Sequence, residues 1–157
     1  MRRKTCMINL ALDSSVLVKW FKAGEEFERE ALRLREGILS SAVEVQTCEL
    51  ALLEVCRGLV KAGYPVHKID EAYLALKEMS EFGFLTLVPV SALKDKAKEL
   101  LVKLNLYVAD AMNLAVAVTG HLNLLTEDKH LFKQEVKDLF HEEGLKIIRL
   151  KDISSVL

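Results

Sequence analysis

The sequence lacks an excess of charge of either sign. It contains 22 lysines and arginines against 23 aspartates and glutamates, which gives a formal net charge of −1. No overall basic field therefore attracts the protein to nucleic acid. Binding of a polyanion would have to depend on local basic side chains or on bound metal ions.

Long hydrophobic runs and paired cysteines are also missing. No segment reaches the roughly 18 uncharged apolar residues that cross a bilayer. Behind the basic start at residues 1–4, Asp13 interrupts the apolar stretch too early for a secretory signal. The cysteines lack CxxC spacing, which predicts reduced thiols at Cys6, Cys48 and Cys56. We therefore expect a cytoplasmic protein without a membrane segment.

Motifs of several enzyme classes are absent. No GxxxxGK segment is present, which argues against P-loop chemistry. The residue two positions after Asp13 is Ser15, where a haloacid-dehalogenase-like phosphatase needs an aspartate, and a phosphoacceptor receiver domain fits poorly because Leu12 precedes Asp13. The histidines show no HxxxH or HExxH spacing and are expected at the surface: His67, His121, His130 and His141.

What the sequence does contain is an ordinary globular balance, with 51% hydrophobic and 29% charged residues over a length of 157 residues, which suits one domain spanning residues 1–157. Strands are predicted at residues 7–12, 42–45, 84–88, 122–125 and 145–150. Helices are predicted at residues 14–21, 25–35, 47–60, 66–81, 92–104 (N-capped by Ser91), 108–118 and within 128–141. This alternation predicts a three-layer α/β/α fold with a mostly parallel five-stranded sheet.

Two aspartates occupy unusual positions in this pattern. Asp13 directly follows the first apolar strand, and ligands of such sheets bind beyond the carboxyl ends of the strands. Asp110 lies in a helix that is apolar on nearly every side, so its carboxylate needs a partner. A helix N-cap at Asp13 and a favourable first-turn charge at Asp110 remain the structural alternatives.

Two further acids complete a candidate cluster. Asp128 follows the fourth predicted strand, behind the hydroxyl of Thr126, although it is also placed to cap a helix. Glu54 lies within a largely apolar helix, where an ion pair with Arg57 is the structural alternative and Glu49 is an alternative member of the cluster.

A cluster of carboxylates predicts a metal site. Several carboxylates in one crevice repel each other and stay ionised at neutral pH only with a cation among them. Oxygen ligands without His or Cys favour Mg²⁺, or Mn²⁺ as its substitute. Such a site can activate water and stabilise charge on a phosphodiester during hydrolysis. The candidate catalytic and metal-binding residues are Asp13, Glu54, Asp110 and Asp128.

The motifs that carry these acids resemble those of the PIN-domain family, in particular the VapC-type toxins of prokaryotic toxin–antitoxin pairs. Residues 12–21 (LDSSVLVKWF) resemble the first motif, residues 110–117 (DAMNLAVA) the third and residues 125–128 (LTED) the fourth. Residues 53–55 (LEV) are similar to the Glu-bearing second motif. The resemblance covers nearly the whole chain in the right order.

This resemblance implies a Mg²⁺-dependent endoribonuclease, a homodimer that a small antitoxin inhibits. Mg²⁺ would be held mainly by Asp13 and Asp110, with Glu54 and Asp128 completing the acidic set. Ser15 and Thr126 would form supporting hydrogen bonds. Candidate contacts to the RNA backbone, chosen because each lies near a proposed acid, are Lys19, Arg57, Lys61 and Lys129. Two alternatives remain: a non-catalytic protein-binding module, and a housekeeping RNA-processing or structure-specific nuclease of the same fold.

Overall fold

The computed structural model describes residues 7–157, so Cys6 and the basic residues 1–4 lie outside the described part of the chain. The strands are β1 (Ile8–Leu12), β2 (Val43–Cys48), β3 (Thr86–Val88), β4 (Asn123–Leu125) and β5 (Ile147–Ile148). The α-helices are α1 (Ser14–Leu17), α2 (Glu28–Leu39), α3 (Ala51–Lys61), α4 (Val66–Glu81), α5 (Val90–Leu104), α6 (Val108–Gly120) and α7 (Gln134–Glu142). Short 3₁₀ turns occupy Val18–Trp20, Lys129–Phe132 and Leu150–Ser155.

The five strands form one parallel sheet in the order β3-β2-β1-β4-β5, which confirms the predicted fold class. Alternate residues of a strand face opposite sides of the sheet. In β1, Leu10 and Leu12 therefore pack into one buried cluster with α2, α3 and α4, while Ala11 packs into the other with α5, α6 and α7. Helices cover both faces of the sheet, and β1 lies at its centre.

Several predicted boundaries were wrong. The strand predicted at 42–45 continues to Cys48, and Thr47, predicted to open a helix, is a buried strand residue whose hydroxyl donates to the carbonyl of Leu12 at 2.8 Å. Its β-branched side chain suits the strand. The next helix, α3, consequently begins only at Ala51.

The start of α5 also differs from the prediction. Pro89 is the N-cap and the helix begins at Val90, so Ser91 lies inside the helix rather than capping it. Proline is well suited to this end of a helix because it has no N–H group that would need an intrahelical acceptor.

In residues 7–157, no single helix is long and apolar enough to cross a membrane; α5 and α6 reach that length only together, and they meet at an angle of 116°. Within the same residues, Cys48 and Cys56 are both free thiols.

Candidate active site

The site is built around Asp13, which follows the central strand. Its backbone N–H donates to the carbonyl of Leu125 in β4 at 3.1 Å, so the residue still lies against the sheet. Asp13 is also the N-cap of α1, but only its backbone carbonyl serves that helix, because its side chain makes no cap hydrogen bond. The carboxylate is therefore available for other contacts, although the residue is only 2% exposed.

Three side chains donate short hydrogen bonds to the Asp13 carboxylate, and the Ser14 hydroxyl makes a longer one at 3.4 Å. Nδ2 of Asn113 lies 2.6 Å from Oδ1, while the hydroxyls of Ser15 and Thr126 each lie 2.7 Å from Oδ2. Burial raises the pKa of Asp13, the two hydroxyls lower it, and the nearby negative charge of Asp128 raises it again. The donors thus hold this carboxylate in one orientation.

The same two hydroxyls fix the loop behind β4. The backbone N–H of Glu127 donates to Ser15 Oγ at 2.9 Å, and that of Asp128 donates to Thr126 Oγ1 at 3.0 Å. The Asp128 carboxylate accepts the backbone N–H of His130 at 2.9 Å, so it caps the following 3₁₀ turn, as the structural alternative predicted. The cap occupies one carboxylate oxygen and leaves the second for other contacts.

Asp110 lies in the first turn of α6, on the face of the sheet opposite to α1 and α3. The residue is 8% exposed. Burial and the negative charges of Asp128 and Asp13 together raise its pKa to about 6. The carboxylates of Asp128 and Asp13 therefore lie close enough to disfavour ionisation of Asp110.

Glu54 approaches the site from the first turn of α3 and accepts a hydrogen bond from the Ser14 hydroxyl at 3.2 Å. Burial, followed by the charge of Asp13, raises its pKa to about 7. Glu49 is directed elsewhere, because its Oε1 accepts the backbone N–H of Val90 at 2.8 Å, at the start of α5. Of these two glutamates, Glu54 is the one that lies near the charges of Asp13 and Asp110.

The sequence analysis did not assign a role to Asn113. Besides holding Asp13, its side-chain amide lowers the pKa of Glu54 by hydrogen bonding, so it lies between the two acids. Its Oδ1 is buried and has no hydrogen-bond partner in residues 7–157. The available indication was spacing: Asn113 lies three positions after Asp110, and residues at i and i+3 share a helix face.

A second feature that was missed anchors the loop of Asp128. The buried Glu127 carboxylate accepts the backbone N–H of Leu150 at 2.6 Å and Nη2 of Arg149 at 2.7 Å. The Arg149 guanidinium also lies over the Phe132 ring, 5.5 Å from its centroid. These contacts connect the acidic loop to the segment that follows β5.

The basic residues chosen from sequence have different surroundings. Lys19 is buried, and its ammonium contacts the Glu25 carboxylate at 3.3 Å and the carbonyl of Glu26 at 2.8 Å, so it is engaged within the protein. Arg57 and Lys61 are exposed and line an open cavity beside Glu54. Lys129, which directly follows Asp128, is exposed as well.

The chemistry of the side chains fits a hard divalent cation. All the candidate ligand atoms are oxygens, which Mg²⁺ prefers. Three of the carboxyl groups have raised pKa values, and the side-chain carbonyl of Asn113 is buried without a hydrogen-bond partner in residues 7–157. Within the described residues, however, no three Asp, Glu, His or Cys side chains stand around one point as a formed ion site.

Comparisons with known proteins agree with this architecture. The family model described as PIN domain matches residues 10–137. No curated protein sequence matches the chain.

The solved structures that share this fold include the following three. A toxin–antitoxin complex from Klebsiella pneumoniae is 21% identical with a TM-score of 0.54, covering 80% of this chain and 92% of that one. VapC20 of Mycobacterium tuberculosis, a sarcin–ricin loop cleaving toxin, is 22% identical with a TM-score of 0.60, covering 76% and 90%. VapBC-5 of the same organism, from the VapBC toxin–antitoxin family, is 19% identical with a TM-score of 0.53, covering 90% and 98%.

Proposed function

Because the chain belongs to the PIN domain family, we propose that it is a divalent-metal-dependent endoribonuclease with its active site at the carboxyl edge of the sheet. The observation that carries the proposal is that four acids from separate elements lie near one another, two of them buried: Asp13 after β1, Glu54 on α3, Asp110 on α6 and Asp128 after β4. A buried cluster of like charges is costly to fold and is expected where a cation is used.

The role of each acid follows from its surroundings. Asp13 is held by hydrogen bonds from Asn113, Ser15 and Thr126 and would serve as the fixed ligand. Asp110, whose pKa is raised to about 6 by burial and by the charges of Asp128 and Asp13, would be the second main ligand. Glu54 and Asp128 complete the set. A bound Mg²⁺ ion, or Mn²⁺ in its place, would neutralise these charges, activate water and stabilise a phosphodiester under attack.

The surroundings of the acids suit an RNA strand despite the net charge of −1. Arg57 and Lys61 lie beside Glu54, and Lys129 follows Asp128, so exposed cations flank the cluster on two sides. Such side chains bind phosphates without regard to sequence and orient the strand. Lys19 is left out of this role because its ammonium is engaged with Glu25.

The biological role included in the proposal is that of a cytoplasmic toxin controlled by a small antitoxin, with a homodimer as the working form. It is supported by the three structural relatives, which are described as a toxin–antitoxin complex, a toxin and a toxin–antitoxin family member. In this role the antitoxin would keep RNA away from the acids.

The test is cleavage of defined RNAs by the wild type and by Asp110→Asn, in Mg²⁺, in Mn²⁺ and in EDTA. We expect the wild type to cut with either ion and not in EDTA, and Asp110→Asn to lose at least about a hundredfold in rate, because it removes an acid that faces the ion. The matched control is Asp95→Asn, which makes the same change on the exposed face of α5 and should cleave like the wild type.

Two results would contradict the proposal. Full activity of Asp110→Asn would show that RNA cleavage does not depend on the acid cluster. A wild type that binds Mn²⁺ but leaves every RNA uncut would favour a non-catalytic protein-binding module of the same fold.

A further inference from the structure

An exposed aromatic side chain borders the acidic cluster. Tyr107 is 76% exposed and directly precedes α6, three residues before Asp110. Its ring meets the imidazole of His130 edge to face, with ring centroids 6.3 Å apart and planes at 85°. His130 in turn donates its backbone N–H to Asp128, and its charge lowers the pKa of Asp110. Both rings therefore lie at the edge of the cluster.

The two rings form part of a cavity. This cavity has a volume of about 440 Å³ and is lined by Asn105, Leu106, Tyr107, His130 and Lys133. That volume lies within the roughly 300–1,000 Å³ of small-molecule sites. The lining combines aromatic faces, an amide that can both donate and accept hydrogen bonds, and a cation, but it contains no carboxylate. It therefore suits a flat, polar, aromatic ligand that is attached to a negative charge.

An exposed tyrosine alone is ordinary on a protein surface. What distinguishes Tyr107 is that both acids and exposed lysines lie in its neighbourhood: Asp110 is three residues away in sequence, Lys129 follows Asp128, and Lys133 lines the cavity itself. A strand whose phosphate lies at the acids would have its neighbouring phosphates near these cations. Its adjacent base would then lie next to the tyrosine ring.

We propose that Tyr107 and His130 form a stacking subsite for one unpaired base of the RNA, adjacent to the phosphate that is cut. The inference rests on the proposed function and adds to it the place on this chain where a base of the strand would bind. Recognition of unpaired RNA commonly uses aromatic side chains on which the bases stack. The stacking is tolerant of sequence because every base presents a π-face.

The side chain of Tyr107 can be changed without disturbing the helix. The N-cap contact to α6 is made by its backbone, since its carbonyl accepts the N–H of Ala111 at 3.0 Å. We expect Tyr107→Ala to keep the melting temperature and the Mn²⁺ affinity of the wild type. Tyr107→Phe keeps the ring and should restore the wild-type behaviour. Phe82→Ala is the matched control, because Phe82 is 75% exposed and lies at the end of α4, outside this cavity.

The experiment is steady-state cleavage of one short RNA and of a series in which a single nucleotide on either side of the cut lacks its base. For the wild type, one abasic position should reduce kcat/KM by about 5- to 150-fold, which is the range expected for loss of one stacked base. On the intact RNA, the kcat/KM of Tyr107→Ala should be lower than that of the wild type by a similar factor, mainly because KM is higher. For Tyr107→Ala, removal of the base at that position should then lower kcat/KM only a little further.

Several outcomes would overturn the subsite. One is that Tyr107→Ala cleaves the intact RNA as the wild type does. Another is that every abasic position lowers kcat/KM of Tyr107→Ala by the same factor as it lowers that of the wild type. Equal losses for Tyr107→Ala and Phe82→Ala would also contradict it.

A wild type that cuts none of the RNAs would instead refute the proposed function. The subsite is then tested by fluorescence polarisation of the labelled intact RNA in Mg²⁺. Weaker binding by Tyr107→Ala alone supports it, and equal binding by the wild type, Tyr107→Ala and Phe82→Ala refutes it.

Discussion

Two acids of the cluster should affect the stability of the ion-free protein in opposite directions. Asp13 is surrounded by three donors that its carboxylate satisfies, whereas Asp110 faces other acids. We expect Asp13→Ala to destabilise the protein in EDTA at pH 7.5 and Asp110→Asn to stabilise it slightly. Both variants should be inactive, which would separate the catalytic effect from the structural one.

The magnitudes follow from these contacts. Asp13→Ala leaves the buried donors of Asn113 and Thr126 and the partly buried hydroxyl of Ser15 without their acceptor. A buried unsatisfied polar group costs about 1–3 kcal/mol. The hydroxyls can rotate towards each other across 3.4 Å and burial of a charge is relieved, so we expect a net loss of about 2–4 kcal/mol. For Asp110, a pKa raised from 3.8 to about 6 indicates roughly 3 kcal/mol before screening and about 1 kcal/mol after it.

The assay is thermal and urea unfolding of both variants and the wild type in EDTA. One kcal/mol corresponds to roughly 2–4 °C for a domain of this size, so Asp13→Ala should melt about 4–16 °C lower and Asp110→Asn about 2–4 °C higher. Shifts of the same sign would refute the assignment of Asp13 as the held acid and Asp110 as the repelled one.

Three further results are expected. Because burial raises the pKa of Glu54 from 4.5 to about 7, the native protein binds more protons than the unfolded chain in that window. In EDTA, the contribution of Glu54 to stability should therefore fall as pH rises from 4.5 to 7. Glu54→Gln should stabilise the protein by about 1–2 kcal/mol at pH 8 but not at pH 4. Urea unfolding at both pH values would detect this difference, which the exposed control Glu78→Gln should not show. Asn113→Leu removes the donor to Asp13 and should weaken Mn²⁺ binding about 10- to 100-fold by calorimetry; unchanged affinity would show that the amide is not needed. Glu127→Ala deprives two donors of their acceptor and should cost about 2 kcal/mol in urea unfolding, whereas a change below about 0.5 kcal/mol would show that the loop is held otherwise.

The sequence was sufficient for the fold and for the general position of the acids. The apolar run before Asp13 could only be a buried strand, and an acid at its carboxyl end has to lie at the edge where ligands bind in such sheets. Asp110 attracted attention because its helix is apolar on nearly every side, and the structure buries eight consecutive residues there, from Asp110 to Ala117. Hydrophobic periodicity and the rules for connecting strands and helices are enough to predict such features.

Details that depend on long-range partners were not predictable. Thr47 was assigned to a helix because the pairing of its strand with β3, in which it faces Leu87, is not visible in a local pattern. The ion pair of Lys19 depends on how the segment containing Glu25 folds back towards it. The role of Asn113 depends on its contact with Asp13, which joins residues 100 positions apart. Contacts of this kind require coordinates.

The most direct test of the central claim is a calorimetric titration of the ion-free wild type with Mn²⁺ at pH 7.5, with Asp110→Asn titrated in parallel. If Asp13, Glu54, Asp110 and Asp128 share an ion, the wild type should bind Mn²⁺ saturably and the variant at least tenfold more weakly, with Asp95→Asn unchanged. Absence of saturable binding by the wild type, or equal binding by Asp110→Asn, would contradict the claim.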